Sequence, residues 1–384
     1  MLEKENNLAR PRRTTSPYVS AMPKGTTPVR KLALLIGTVK GVFIYHGDEA
    51  RTEWKLTGPH LGGWEIFSLC GDSRTGRILA GTGHFEHGPT IRVSKDFGAT
   101  WKGVKRDPKF AKGAKAELKH LWQIVPGHPS QPKTWYAGVD DAALFVSRDD
   151  GDTWAELTGL TNHPTRPIWV PGFGGLCLHS VLVDPTNAKR LWVGISAVGV
   201  FRSDDAGETW KLCNDGLPNI VPGFAKEPCG RCVHKLVLDP TRPGALALQF
   251  HGGVFRSVNA GDTWTKISAG LPHDFGFPMA ATAHDLFVVP LLADNNRVVP
   301  DGALKVWRTR DRGRTWRAMT KGLPQKDHFV GVLRDAMASD PLTPSGIYMG
   351  TTGGELFYSR DDGDSWEKLP ASFPRITTLK TWLV

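Results

Sequence analysis

Two stretches of this sequence read Cys-x-His: Cys177-Leu178-His179 and Cys232-Val233-His234. Each runs at the same distance into an Asp-Pro pair, and Asp335 takes the position of the two histidines when residues 330–341 (VGVLRDAMASDP) are aligned on their own Asp-Pro. Imidazole and thiolate suit a divalent transition metal such as zinc. His251 ends a strand expected beside His234, so the metal candidates are His179, His234 and His251, completed by Asp335 or a cysteine. Cys229 and Cys232 form a C-x-x-C, yet no second C-x-x-C or H-x3-H follows at finger spacing. Histidines hydrogen-bonded at strand ends are the structural alternative.

A second set is carboxylates. Hydrolysis of a glycosidic bond needs two, one protonated, flanking the bond. Glu65, Asp140 and Asp335 are the catalytic candidates, and Glu86, Asp141 and Asp274 fall in comparable loops. Trp64, Phe85, Trp122, Trp169 and Phe275 lie among them and offer faces on which a sugar ring stacks, and His84 is a further ligand-binding candidate. Arg166, Arg231 and Arg334 offer bidentate contacts to a carboxylate or phosphate. No nucleotide-binding loop G-x-x-x-x-G-K-[ST], no G-x-S-x-G and no H-E-x-x-H is present, so no nucleotide cofactor is expected.

These residues must be positioned by a repeat. VSRDDGDTW, ending at Trp154, has near-copies ending at Trp101, Trp210, Trp264, Trp316 and Trp366, and a decayed copy ending at Trp54. The Trp-to-Trp spacings are 47, 53, 56, 54, 52 and 50 residues, a period that marks a propeller or an array. In each copy a β-prone run leads into an Asp-and-Gly turn, and Gly98, Gly151, Gly207, Gly261, Gly313 and Gly363 stand where positive φ is needed. The Asp carboxylate is placed to accept turn N–H groups, and Trp opens the next strand.

The pattern resembles the Asp-box (BNR) repeat of sialidases, xyloglucan-cleaving glycosidases, sortilin-type receptors and photosystem II assembly factors, over about residues 32–384. Residues 163–185 (HPTRPIWVPGFGGLCLHSVLVDP), 229–240 (CGRCVHKLVLDP), 271–279 (LPHDFGFPM) and 330–341 also look like a family of bacterial intracellular Asp-box proteins labelled sialidase or glycosyl hydrolase. The resemblance implies a propeller in which the box is a structural turn facing away from any active site. The sialidase mechanism is not expected: FRIP is absent from the first repeat, where FPRI (373–376) is scrambled and lies at the other end, and Tyr45, Tyr136, Tyr348 and Tyr358 fall at strand packing positions.

The fold expected is all-β: one seven-bladed propeller over residues 31–384, after a basic, disordered tail at 1–30. The first blade shows three strands, Leu32–Gly37, Gly41–Tyr45 and Trp54–Thr57, and the chain ends on a lone strand, RITTLKTWLV. Pairing that strand into the first blade closes the ring and removes an edge. The long crossovers then gather on one face, and the site is expected in the funnel they form.

The net charge of +10 resolves into seven Lys/Arg against two Glu in residues 1–31 and seven Lys/Arg against two acids in residues 102–119. This is a tail and a loop rather than a basic face, so nucleic acid is not expected as a partner. No apolar run is long enough for a membrane span. Five cysteines and no apolar leader point to a cytoplasmic protein. Two functions stay open: a hydrolase or lyase acting on a sugar-like or acidic small molecule in the funnel, and a non-catalytic scaffold binding a glycan or protein on the same loops.

Overall fold

The computed structural model describes residues 32–383; the basic tail read from the sequence lies outside them. Seven four-stranded antiparallel sheets follow one another as blades, and blades 2 to 7 each begin on their innermost strand. The innermost strands of blades 2 to 7 are Glu65–Asp72, His120–Pro126, Leu178–Val183, Val233–Leu238, Gly276–Ala281 and Met337–Ser339. In blade 1 that place is taken by the C-terminal strand Ile376–Leu383, which pairs antiparallel with Leu32–Thr38 in the register Leu34 to Thr381 and Ile36 to Leu379. The ring closes as the lone terminal strand implies, and Ile376, Leu379 and Trp382 are buried in the seam.

Alternate residues of each strand fill the space between neighbouring sheets, led by the fully buried Trp135, Trp192, Phe201 and Phe287. The repeated turn explains why the period is so regular. Ser147 Oγ bonds Asp149 Oδ1 at 2.8 Å and accepts from Gly151 N at 2.9 Å. Asp149 accepts from Thr153 N at 2.9 Å and from Thr153 Oγ1 at 2.7 Å, and Trp154 Nε1 donates to Gly151 O at 3.1 Å. Asp96, Asp205, Asp311 and Asp361 repeat this arrangement. Gly151 has φ 86°, and the residue before it, Asp150, is also left-handed at 65°. These box carboxylates are fully engaged in holding their own turns.

Candidate functional site

Six of the seven innermost strands slip register by an extra residue near the same end, leaving Phe67, Trp122, His179, His234 and Thr377 as bulged residues, with Phe277 and Pro278 in the sixth blade. A bulge re-aims a side chain and is common beside active sites. Here the bulged side chains ring one mouth of the central channel. The histidines reach to the next blade: His179 Nε2 lies 3.0 Å from Val233 O, and His234 Nδ1 lies 2.6 Å from Gly276 O.

Arg334 crosses this mouth. Its Nε donates to the carbonyl of His234, and its guanidinium carbon lies 5.5 Å from the Trp122 ring centroid and 5.8 Å from that of Phe277. No carboxylate forms an ion pair with it among the described residues. Arg297 stacks on the other aromatic, 5.4 Å from Phe277. Trp122 Nε1 is buried without a hydrogen-bond partner. The mouth thus offers unmatched donors between two aromatic faces, which suits a ring carrying a negative group.

On one side of Arg334 the ligand atoms of Cys232, His234 and His251 all lie within 4.8 Å of one another. Cys232 Sγ is 3.6 Å from His234 Nε2, and the His234 and His251 rings are 5.5 Å apart. The Gly276 carbonyl accepts a hydrogen bond from Nδ1–H, so Nε2 presents its lone pair toward Cys232, as in histidines whose outer nitrogen is held by a carbonyl while the inner one binds a metal. Burial, against the pull of that carbonyl, pushes His234 down to about 3, and burial also lowers His251. Both rings are neutral at ordinary pH, the state a metal requires. His179 is not part of this group: it is fully buried, with Nδ1 3.1 Å from Ser180 Oγ and Nε2 held by Val233.

On the other side lies Asp140, 2% exposed. Its Oδ2 is 3.3 Å from His120 Nδ1 and 3.9 Å from Cys177 Sγ, while Oδ1 has no partner among the described residues. His120, Phe67 and Trp122 pack together, with ring centroids 4.6 to 5.8 Å apart. His120 also lines a cavity of about 410 Å³ with Glu65, Phe67, His84, Phe85 and Lys119. Two of the three candidate carboxylates, Glu65 and Asp140, therefore flank this part of the funnel. Asp335 is elsewhere, deep in the channel and ion-paired to Lys235, with Lys380 at 3.7 Å. Burial opposes its charge, but these two ammonium groups win and hold its carboxyl below the usual range.

Trp64 and His84 form a second, more exposed cluster at the rim. His84, Glu86 and His87 lie close enough to share an ion, and Trp64 stacks between His87 and Arg92. Arg166, Trp169 and Arg231 are away from the mouth. Arg166 donates to Ala142 O and covers the buried Trp169, whose indole N–H goes to Thr165. Arg231 is spent on the carbonyls of Leu217, Glu227 and Cys229. The residues not picked out from the sequence are Phe67, His120, Arg297 and Phe277. The alignment on Asp-Pro that located the Cys-x-His pairs also runs through the bulge, so it held a signal for Trp122 but none for the loop residue Arg297.

No family model matches the chain. Among curated proteins it is similar to a xyloglucanase of Hypocrea jecorina, 27% identical over 295 residues, covering 67% of this chain and 34% of the relative. A xyloglucanase of a Paenibacillus species is 25% identical over 252 residues, covering 59% and 23%. The chain spans about a third or less of the length of these relatives. Among solved structures, an ancestral GH74 enzyme superposes with TM-score 0.54 at 15% identity, covering 80% of this chain and 39% of that one. A putative 6-phosphogluconolactonase from Bacteroides uniformis gives 0.58 at 10%, covering 92% and 99%, and YCF48 bound to D1 peptide gives 0.51 at 13%, covering 92% of each. At these identities the structures speak to fold.

Two expectations are corrected. The sequence is identified with a bacterial Asp-box family, sialidase- or glycosyl-hydrolase-like by its repeat alone, whereas the sequence relatives are xyloglucanases: a turn needed to build any such blade carries little family information. The cytoplasmic assignment is corrected with it, because the similarity to xyloglucanases, enzymes named for a polysaccharide, runs against it. No helix among the described residues is long and apolar enough to span a membrane. The chain is a seven-bladed propeller similar in sequence to xyloglucanases.

Proposed function

We propose that the mouth binds an acidic sugar and hydrolyses a bond to it. The observation that carries this reading is Asp140, a buried carboxylate with one oxygen on His120 and the other free. Hydrolysis requires one group to take a proton from the attacking water and another to give a proton to the leaving oxygen. Glu65 and the His120–Asp140 pair are the groups for these roles, with His120 facing the cavity and Asp140 orienting it. Arg334 binds the sugar's carboxylate, and Trp122 and Phe277 stack on its ring. Trp64 and His84 extend the site at the rim.

Cys232, His234 and His251 hold a divalent transition metal such as zinc in this reading, with His179 serving only the fold. A bound metal supplies Lewis acidity beside Arg334. Similarity to xyloglucanases supports a carbohydrate substrate, and the unmatched arginine favours a sugar acid over a neutral one.

The test is release of reducing ends from xyloglucan oligosaccharides and from oligosaccharides carrying a uronic acid, by purified protein with and without added zinc. Turnover that favours the acidic substrates supports the reading. Binding of either class without turnover returns the propeller to the non-catalytic glycan-binding alternative.

A further inference from the structure

The blades carry a second, unannounced break in their repeat, on the face opposite the mouth. Blades 4, 5 and 6 each place an arginine immediately before the hydroxyl residue of the box: Arg202, Arg256 and Arg308. Two of them reach across to the box of the next blade in the same way. Arg202 donates to Ala260 O at 3.0 Å and to Asp262 Oδ1 at 2.9 Å. Arg308 donates to Asp362 O at 2.6 Å and pairs with Asp364 Oδ1 at 2.8 Å. The equivalent partners of Arg256 are Arg312 and Arg314. An arginine stands where the junctions on either side have an aspartate.

Among the described residues Arg256 accordingly has no ion pair, and its Nη2 is enclosed without a hydrogen-bond partner. Burial, and then the charge of Arg312, push its guanidinium below the ordinary value; Arg242 adds to this and Asp239 opposes it. The junction opens into a cavity of about 500 Å³ lined by Arg256, Arg310 and Arg312. The carboxylates of that cavity are already engaged. Asp285 takes Arg310 at 3.1 Å, Asp239 accepts from Thr241 N at 3.0 Å, and Asp362 accepts from Ser345 N at 2.8 Å. Among the described residues neither Arg256, half-buried at the back, nor Arg312, exposed at the rim on a left-handed backbone at φ 65°, has a carboxylate within ion-pair distance.

We infer that the junction of blades 5 and 6 is a binding site for a phosphate group, with Arg256 and Arg312 as its donors and Arg314 at the position where the neighbouring junctions carry an aspartate. A tetrahedral dianion presents several oxygens to diverging guanidinium groups and replaces the carboxylate that the neighbouring junctions supply from the protein. The cavity beside it leaves room for the rest of a phosphorylated small molecule. The site is remote from the mouth and stands whether or not the mouth is catalytic.

The test is isothermal titration of the purified protein with inorganic phosphate at constant ionic strength, paired with melting curves in phosphate and in chloride. Saturable binding, with a Tm raised by about 2 °C or more at saturation, is expected. R256M is expected to weaken binding at least tenfold. R314D rebuilds the arginine–aspartate contact of the adjacent junctions, so it should raise Tm in chloride and abolish the response to phosphate. Absence of saturable binding by wild type, or an unchanged response in R314D, overturns the inference. R314D keeps the test decisive if R256M does not fold.

Discussion

His234 Nδ1 lies 2.6 Å from the carbonyl oxygen of Gly276, one blade further round the ring. His179 makes the corresponding bond to Val233, so the two histidines answer the same structural demand. They differ in what the other ring nitrogen meets: Ser180 for Nδ1 of His179, and Cys232 with His251 for Nε2 of His234.

Elemental analysis should therefore find about one equivalent of transition metal in wild type and in H179Q, provided the latter folds. The metal should be lost in C232S and H251A. Loss in H179Q with retention in H251A would move the site.

The Lys235–Asp335 pair tests the reading of Asp335 as a structural group. Both side chains are 7% exposed, and burial pulls Lys235 down to about 8 despite its partner. Removing one charge leaves the other buried alone, a cost of about 3–5 kcal/mol. D335N should melt well below wild type, and K235M/D335L should recover most of the loss. A D335N protein with wild-type Tm and no turnover would instead mark Asp335 as catalytic.

Much of the fold could be read from the sequence because it rests on local chemistry. The box turn satisfies its own polar groups within nine residues, and the unpaired terminal strand had one sheet edge to fill. The site was less legible. Its side chains are aimed by bulges, and nothing in a strand's alternation says which residue will be the extra one. His179 and His234 align perfectly, yet only the neighbour of His234 contributes a second imidazole. Arg166 and Arg231 looked like anion ligands by type, but Arg166 donates to the carbonyl of Ala142 in another loop and Arg231 to carbonyls of its own loop.

The box carboxylates predict acid sensitivity. Burial raises Asp96, Asp149, Asp205 and Asp361, but hydrogen bonds from the turn outweigh it and hold each below the ordinary value; Asp311 is held at about 2 by Thr315. Folded values below unfolded ones mean stability that is complete above about pH 4 and lost as pH falls toward 2. Tm should fall on the order of 10 °C between pH 5 and 2.5. Blade 5 already uses Asn259, whose amide donates to Thr263 while its oxygen accepts from Thr263 N, both at 3.0 Å. Asp-to-Asn changes in several boxes should therefore flatten the acid limb at modest cost at pH 7. A limb unchanged in such a variant would place the acid sensitivity elsewhere.

Ring closure predicts that deleting residues 376–384 abolishes cooperative unfolding. The deletion removes three buried apolar side chains and exposes the edge of Leu32–Thr38, and each large buried side chain alone contributes about 2–5 kcal/mol. Wild-type melting of the truncated protein would rule closure out as a requirement.

The most direct test of the mouth as an active site is steady-state hydrolysis of matched neutral and uronate-bearing oligosaccharides by wild type, D140N and R334M, each checked for an unchanged melting curve. The expected result is a fall in kcat of at least about a hundredfold for D140N on both substrates, and a raised KM for R334M confined to the acidic one. Equal kinetics in D140N and wild type, or a KM change in R334M that ignores substrate charge, would contradict the account.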